Sequence, residues 1–117
     1  MVVAIAVFEF HLPSCRGLKE KRTFLRPLKT RLRGDFSVSA AEVAHQDLLQ
    51  RAVLAVAAVG PDKVALEPLL EKVLGYVEGY TEESGNELVN ARREFLVYGG
   101  IGEPGDAFGN AATAEEE

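Results

Sequence analysis

The stretch Arg51-Ala52-Val53-Leu54-Ala55-Val56-Ala57-Ala58-Val59, closed by Gly60-Pro61, decides the fold. Its alanine content suits a helix. However, the Gly-Pro pair stops it after nine residues, shorter than most helices and apolar on both alternating sets, so it reads as a buried strand. Working backwards, Val2 to Phe10 has the same character, with Val2, Ala4, Ala6, Phe8 and Phe10 on one face and Val3, Ile5 and Val7 on the other, where only Glu9 interrupts. Two strands apolar front and back belong in the middle of a sheet.

Between them lies the helix Leu18 to Arg33. Leu18, Leu25, Leu28 and Leu32 recur at the period of a core-facing stripe. Lys19, Arg22, Arg26, Lys29 and Arg33 run along its flank, where long stems lie on apolar surface with their charges in water. From Arg16 to Arg33 there are eight Lys/Arg against Glu20 alone, in a chain whose net charge is −5. Pro27 points away from the leucines and should bend the helix without breaking it. Gly34-Asp35 is the expected stop, with Gly34 left-handed. Phe36 to Val43 then alternates as a more polar, edge-type strand.

After Gly60-Pro61, Asp62 is suited to cap a second helix running to about Tyr80. Its stripe is Leu66, Leu69, Leu70, Val73, Leu74 and Val77, and Pro68 faces away. Thr81 to Asn86 reads as a loop. Glu87 to Tyr98 reads as a fourth strand with Val89, Ala91, Phe95 and Val97 on one face. From Gly99 a glycine-rich tail ends Glu115-Glu116-Glu117, too polar to fold alone.

The order β-α-β-β-α-β predicts an α+β, ferredoxin-like fold: an antiparallel sheet in the order 4-1-3-2 with both helices on one face. At 117 residues this is one domain, residues 1–98, with 99–117 as the tail. Two helices cover one face only. The other retains half of each central strand, which predicts a homodimer joined through that open sheet face. No run approaches the ~20 apolar residues of a membrane span. The start lacks the basic leader of a secretory signal, and a single cysteine excludes an internal disulfide; both point to a cytoplasmic location.

Gly17-Leu18-Lys19-Glu20-Lys21-Arg22, together with Ala41-Glu42-Val43-Ala44-His45-Gln46-Asp47-Leu48-Leu49-Gln50-Arg51-Ala52, resembles the YlxP-like family of small uncharacterised bacterial proteins. Members open with a hydrophobic strand and a short His-containing segment, followed by S-L-K-E-K-R and later by A-E-V-x-H-Q-D-x-x-Q-R-A. The likeness runs over about Val2 to Tyr98. This chain has Gly17 where the family usually has serine, which weakens the first helix cap. The resemblance implies a ferredoxin-like fold and a role close to translation initiation and small-subunit maturation, near whose genes the family's own genes tend to lie. It implies no catalytic residue.

The ends of the first two strands should bring His11, Cys15, Glu42, His45 and Asp47 to one edge. Those are metal-ligating residue types. Yet the third strand separates the two histidines by roughly 10 Å, and no ligand pair such as C-x-x-C occurs. The expectation is no metal and no cofactor, with Asp47 holding a turn. Cys15 stands beside Arg16 just before a helix start, with no evident general base, so catalytic use is not expected. Gly99-Gly100-Ile101-Gly102 precedes no helix, so it is no phosphate loop. An enzyme is not expected.

The cationic flank is the leading candidate, with Lys19, Arg22, Arg26, Lys29 and Arg33 contacting the phosphates of rRNA or a ribosomal subunit. Base stacking on the sheet is disfavoured, because the third strand has no aromatic residue. The competing expectation is a dimeric domain that binds a small, unidentified ligand at the subunit interface or at the edge formed by His11, Glu42, His45 and Asp47.

Overall fold

A computed structural model describes residues 1–99. Six elements follow in order: β1 (Val2–His11), α1 (Leu18–Asp35), β2 (Ser39–Ala44), β3 (Arg51–Gly60), α2 (Lys63–Glu83) and β4 (Glu87–Val97). They form one four-stranded sheet in the order β2-β3-β1-β4, with all pairings antiparallel. This is the expected ferredoxin-like βαββαβ fold. Of the expected tail, all but Gly99 lies outside the described residues.

Arg51 to Gly60 is a strand. It pairs with β1 over its full length, from Val2 opposite Gly60 to His11 opposite Arg51. Cross-strand parity puts Ala4, Ala6, Phe8 and Phe10 on the face of Leu54, Val56 and Ala58. That face meets the helices, and Leu28, Leu32, Leu70, Val73 and Val77 complete one core. Each Phe or Leu buried there contributes about 1.5–3 kcal/mol. An aromatic chain ties the layers together. The Phe10 and Phe24 rings meet edge-on with centroids 5.2 Å apart, Phe24 lies 5.3 Å from Tyr80, and Tyr80 Oη donates to the Phe24 carbonyl at 2.6 Å.

Several sequence expectations are corrected. The first helix does not stop at Gly34. It runs to Asp35, and Phe36 N–H caps it on the Leu32 carbonyl. The left-handed residue is Ser37 (φ 54°), so β2 starts at Ser39 and not at Phe36. Leu18 is 48% exposed, and its expected place in the core stripe is taken by Lys21 and Phe24. The second helix continues through Thr81 to Glu83, with the Thr81 side chain buried and its hydroxyl donating to the Val77 carbonyl. In β4 a bulge opposite Glu9/Phe10 changes the pairing from Asn90 to Leu88. Leu88, not Val89, packs on the core. A single extra residue exchanges the faces of everything beyond it.

Candidate functional site

Lys21 occupies a position that core geometry reserves for an apolar side chain, and it is 3% exposed. Its ammonium donates to the His45 carbonyl at 2.7 Å and the Leu48 carbonyl at 2.6 Å, and it lies 2.9 Å from Glu42 Oε2. Glu42 faces the helices because it follows Ala40 by two on β2 and sits opposite Leu54. The carboxylate oxygen is buried and accepts no well-aligned hydrogen bond, so its stabilisation is Coulombic. The turn held by Lys21 is itself strained. His45 has φ 61°, uncommon for a non-glycine residue, and Leu48 N–H closes the turn on the His45 carbonyl.

A second tie runs beside the first. Gln50 Nε2 donates to the Cys15 carbonyl at 3.4 Å and to the Pro13 carbonyl at 3.5 Å, and Leu12 N–H donates to the Gln50 carbonyl. Cys15 is buried, with its thiol donating to the Gly17 carbonyl at 3.3 Å. Gly17 is the extended N-cap of α1 and supplies no side-chain cap; Glu20 instead accepts from Arg16 N–H at 2.7 Å. Lys21 and Gln50 thus lock the β1–α1 and β2–β3 connections together. Between those connections lies a wide, open concavity of about 710 Å³ lined by Pro13, Cys15, Arg16, Leu48, Leu49, Gln50 and Arg51.

The edge cluster expected from strand order is only partly assembled. Glu42 and the His45 backbone meet through Lys21. His11 turns the other way, its Nδ1 lying 2.8 Å from Glu87 Oε1 on β4. No hydrogen bond of the Asp47 side chain accompanies the turn, and among the described residues no three His, Cys, Asp or Glu side chains gather as a metal site.

The cationic flank divides differently from the expectation. Lys19, Arg22 and Arg26 are exposed and Lys29 is half-buried. Among the described residues none of the four has an acidic partner, whereas Arg31 pairs with Asp35, Arg92 with Glu9 and Arg93 with Glu71. These four span about 15 Å at 1.5 Å rise per residue. Arg33 is engaged: its Nε and Nη2 both donate to the Ala40 carbonyl, wrapping the outer edge of β2. That contact places the stripe on the side of α1 beside β2, away from α2. All 13 Lys/Arg and 13 of the 18 Asp/Glu lie within residues 1–99, so that part of the chain is neutral and residues 100–117 carry the net −5. The stripe is therefore a local excess on a balanced domain.

On the sheet face turned away from the helices stand Val3, Ile5, Val7 and Glu9 of β1, Val53, Ala55, Ala57 and Val59 of β3, and Asn90, Arg92, Glu94 and Leu96 of β4. No strand residue there is aromatic. Among the described residues, no helix is long and apolar enough to cross a membrane. Burial, and secondarily Tyr76, push the Tyr80 phenol above its ordinary pKa.

Comparison with known proteins places these features. A family model described as "Protein of unknown function (DUF503)" matches residues 3–91. The "Uncharacterized protein YlxP" of Bacillus subtilis (strain 168) is 33% identical over 81 residues, 69% of this chain and 88% of that protein. Among solved structures, the de novo designed protein Foldit4 aligns with TM-score 0.45 and 12% identity, over 83% of this chain and 97% of that one. A point mutant of SnoaB, a cofactor-independent oxygenase from Streptomyces nogalater, aligns with TM-score 0.48 and 10% identity, over 86% and 98% respectively.

Proposed function

For a chain that belongs to the DUF503 family of proteins of unknown function, we propose a non-enzymatic, cytoplasmic role as an RNA-backbone binder acting through the cationic flank of α1, in the service of ribosome or rRNA maturation. The observation that carries this reading is the difference between paired and unpaired cations. Among the described residues the fold gives Lys21, Arg31, Arg92 and Arg93 acidic partners, yet leaves Lys19, Arg22, Arg26 and Lys29 without one along a continuous 15 Å (roughly, by helical rise) of one helix flank. Neutralising phosphates releases condensed counterions, so such a stripe binds nucleic acid in a salt-dependent way. The sheet supplies no aromatic platform for bases, which favours backbone and shape over sequence.

With about four phosphate contacts the slope of log K against log salt for single-stranded RNA is near −3, a roughly 50-fold loss of affinity between 50 and 200 mM salt. Replacing Lys19, Arg22 and Arg26 together with Glu should abolish binding with little change in the melting curve, because none of the three is buried. Filter binding and subunit co-sedimentation measure this. Undiminished association of that triple variant removes the proposal.

A second reading rests on the concavity between Arg16 and Arg51, whose two guanidinium groups suit a small anionic ligand. A thermal shift with one member of a metabolite panel, lost in Arg51→Ala, is the result that would favour it.

A further inference from the structure

The open sheet face has a relief. On β1 the β-branched side chains of Val3, Ile5 and Val7 stand in a row, all half-buried. Beside them β3 and β2 present Ala55, Ala57, Ala41 and Ser39, short side chains that leave a hollow of about 400 Å³ with Ile5 as one wall and Arg33 at the far rim. A ridge and a trough thus lie next to each other on adjacent strands, at matched heights, since Ile5 is opposite Ala57 and Val7 opposite Ala55.

We propose that this face is occupied by a second copy of the chain, related by a two-fold axis parallel to the strands and midway between β1 and β3. That axis lays Ile5 and Val7 of each copy over the Ala57 and Ala55 trough of the other, with Val3 against Val59 beyond its end. An isologous contact needs a surface complementary to itself, and adjacent ridge and trough provide one. The two sheets would stack about 10 Å apart with nearly aligned strands.

This axis sets β4 of one copy over β2 of the other. One charge pair agrees with it, while Arg92, held by Glu9 of its own chain, comes over Ala41. Glu94, at the level of Ile5, comes over Ser39, at the level of Ala57, beside the arginine that wraps that edge. Glu94 has no cation partner among the described residues of its own chain, and Arg33 has no acid. The area is sufficient. Strand spacing and rise give about 600 Å² of flat projection for the four strands, and more once corrugated, against roughly 800 Å² per partner in a standard interface. Lys19, Arg22, Arg26 and Lys29 of α1 lie on the opposite layer and stay outside, one row on each edge of the dimer, and only Arg33 of the flank reaches the seam. The pairing therefore stands or falls separately from RNA binding.

Sedimentation equilibrium from 1 to 100 µM on the full chain tests the proposal. The expected species is twice 12.7 kDa. Ile5→Lys and Ala57→Lys, each placing a charge on the open face, should each weaken dimerisation at least 30-fold while circular dichroism shows the fold retained. Glu94→Arg and Arg33→Glu should each weaken it several-fold, and the two together should restore it. Arg22→Glu, on the outer layer, should leave it unchanged. A monomer at every concentration, a dimer indifferent to both lysine substitutions, or a charge-reversed pair without recovery would each overturn the arrangement.

Discussion

Replacing Lys21 with Met tests the centre of the domain. Methionine fits the helix position and its volume, so the cost reports the polar contacts alone. The Leu48 carbonyl and the buried Glu42 Oε2 lose their partner, while the His45 carbonyl keeps the Leu48 N–H. A buried charge stripped of its partner costs about 3–5 kcal/mol, and for a domain of this size that is roughly 12–20 °C in melting temperature. Glu42→Gln removes the carboxylate but leaves Lys21 on both carbonyls, and Glu42 retains 18% exposure through which water can compensate. About 1–2 kcal/mol is expected there. The double variant should be less destabilised than the sum by at least ~1 kcal/mol, since the second change removes the charge that the first leaves stranded. Urea denaturation of the four proteins closes the cycle. Hydrogen exchange in the Lys21→Met protein should accelerate first at the amides of residues 45–50, the segment the ammonium holds. If Lys21→Met costs under ~0.5 kcal/mol, the buried-clasp argument is wrong.

Other expectations are more local. Tyr80→Phe loses the bond to the Phe24 carbonyl and should cost about 1 kcal/mol at neutral pH. Because burial raises the Tyr80 phenol in the folded state, the folded chain holds its proton longer than the unfolded chain does. That contribution is complete below pH 10 and is lost as pH rises through the folded value, so wild-type melting temperature should fall more steeply above pH 10 than that of Tyr80→Phe. Leu88→Ala should destabilise by about 1–2 kcal/mol and Val89→Ala by less than ~0.5, the reverse of what strict alternation from Val89 implies. Gly85→Ala, at φ +80°, should cost about 1 kcal/mol by denaturant titration although nothing crowds the new methyl group. Removing residues 100–117 deletes a charge of −5 and should tighten RNA binding at low salt, with the gain vanishing by about 0.5 M.

Much of this was readable from side-chain period. Gly60-Pro61 limited β3 to strand length, and two strands apolar on both faces could only be central, which orders the sheet. What escaped has physical causes. The bulges at Val43 and Val89 depend on cross-strand register, which no single strand encodes. Arg33 counts as a surface charge until the outer edge of β2 is in place to receive it. Lys21 was more accessible than that. It lies three residues after Leu18 and four before Leu25, near the middle of the apolar arc, and Glu42 follows Val38 and Ala40 on the buried alternation of β2. A cation and an acid each standing at a core position predict one another, because neither is stable there alone.

This bears on what the resemblance can say about function. The two blocks that carry it, around Lys21 and from Ala41 to Ala52, are the blocks the clasp joins: Lys21 to Glu42 and the 45–48 turn, Gln50 to the loop before α1. For Lys21, Glu42 and Gln50 the residue choice is explained by burial and backbone satisfaction, so these three are no evidence of a binding site. Within the same helix, Lys19 and Arg22 receive no such explanation. They flank Lys21, touch no acid among the described residues, and help stability little where they stand. A contrast therefore separates scaffold from function in adjacent positions. Lys21→Met should lower the melting temperature by more than 10 °C (roughly, by the clasp estimate) while the surviving folded fraction binds RNA with unchanged salt slope, and Lys19→Glu with Arg22→Glu should do the opposite. If both sets of substitutions reduce binding in proportion to lost stability, the stripe is an ordinary solvated face.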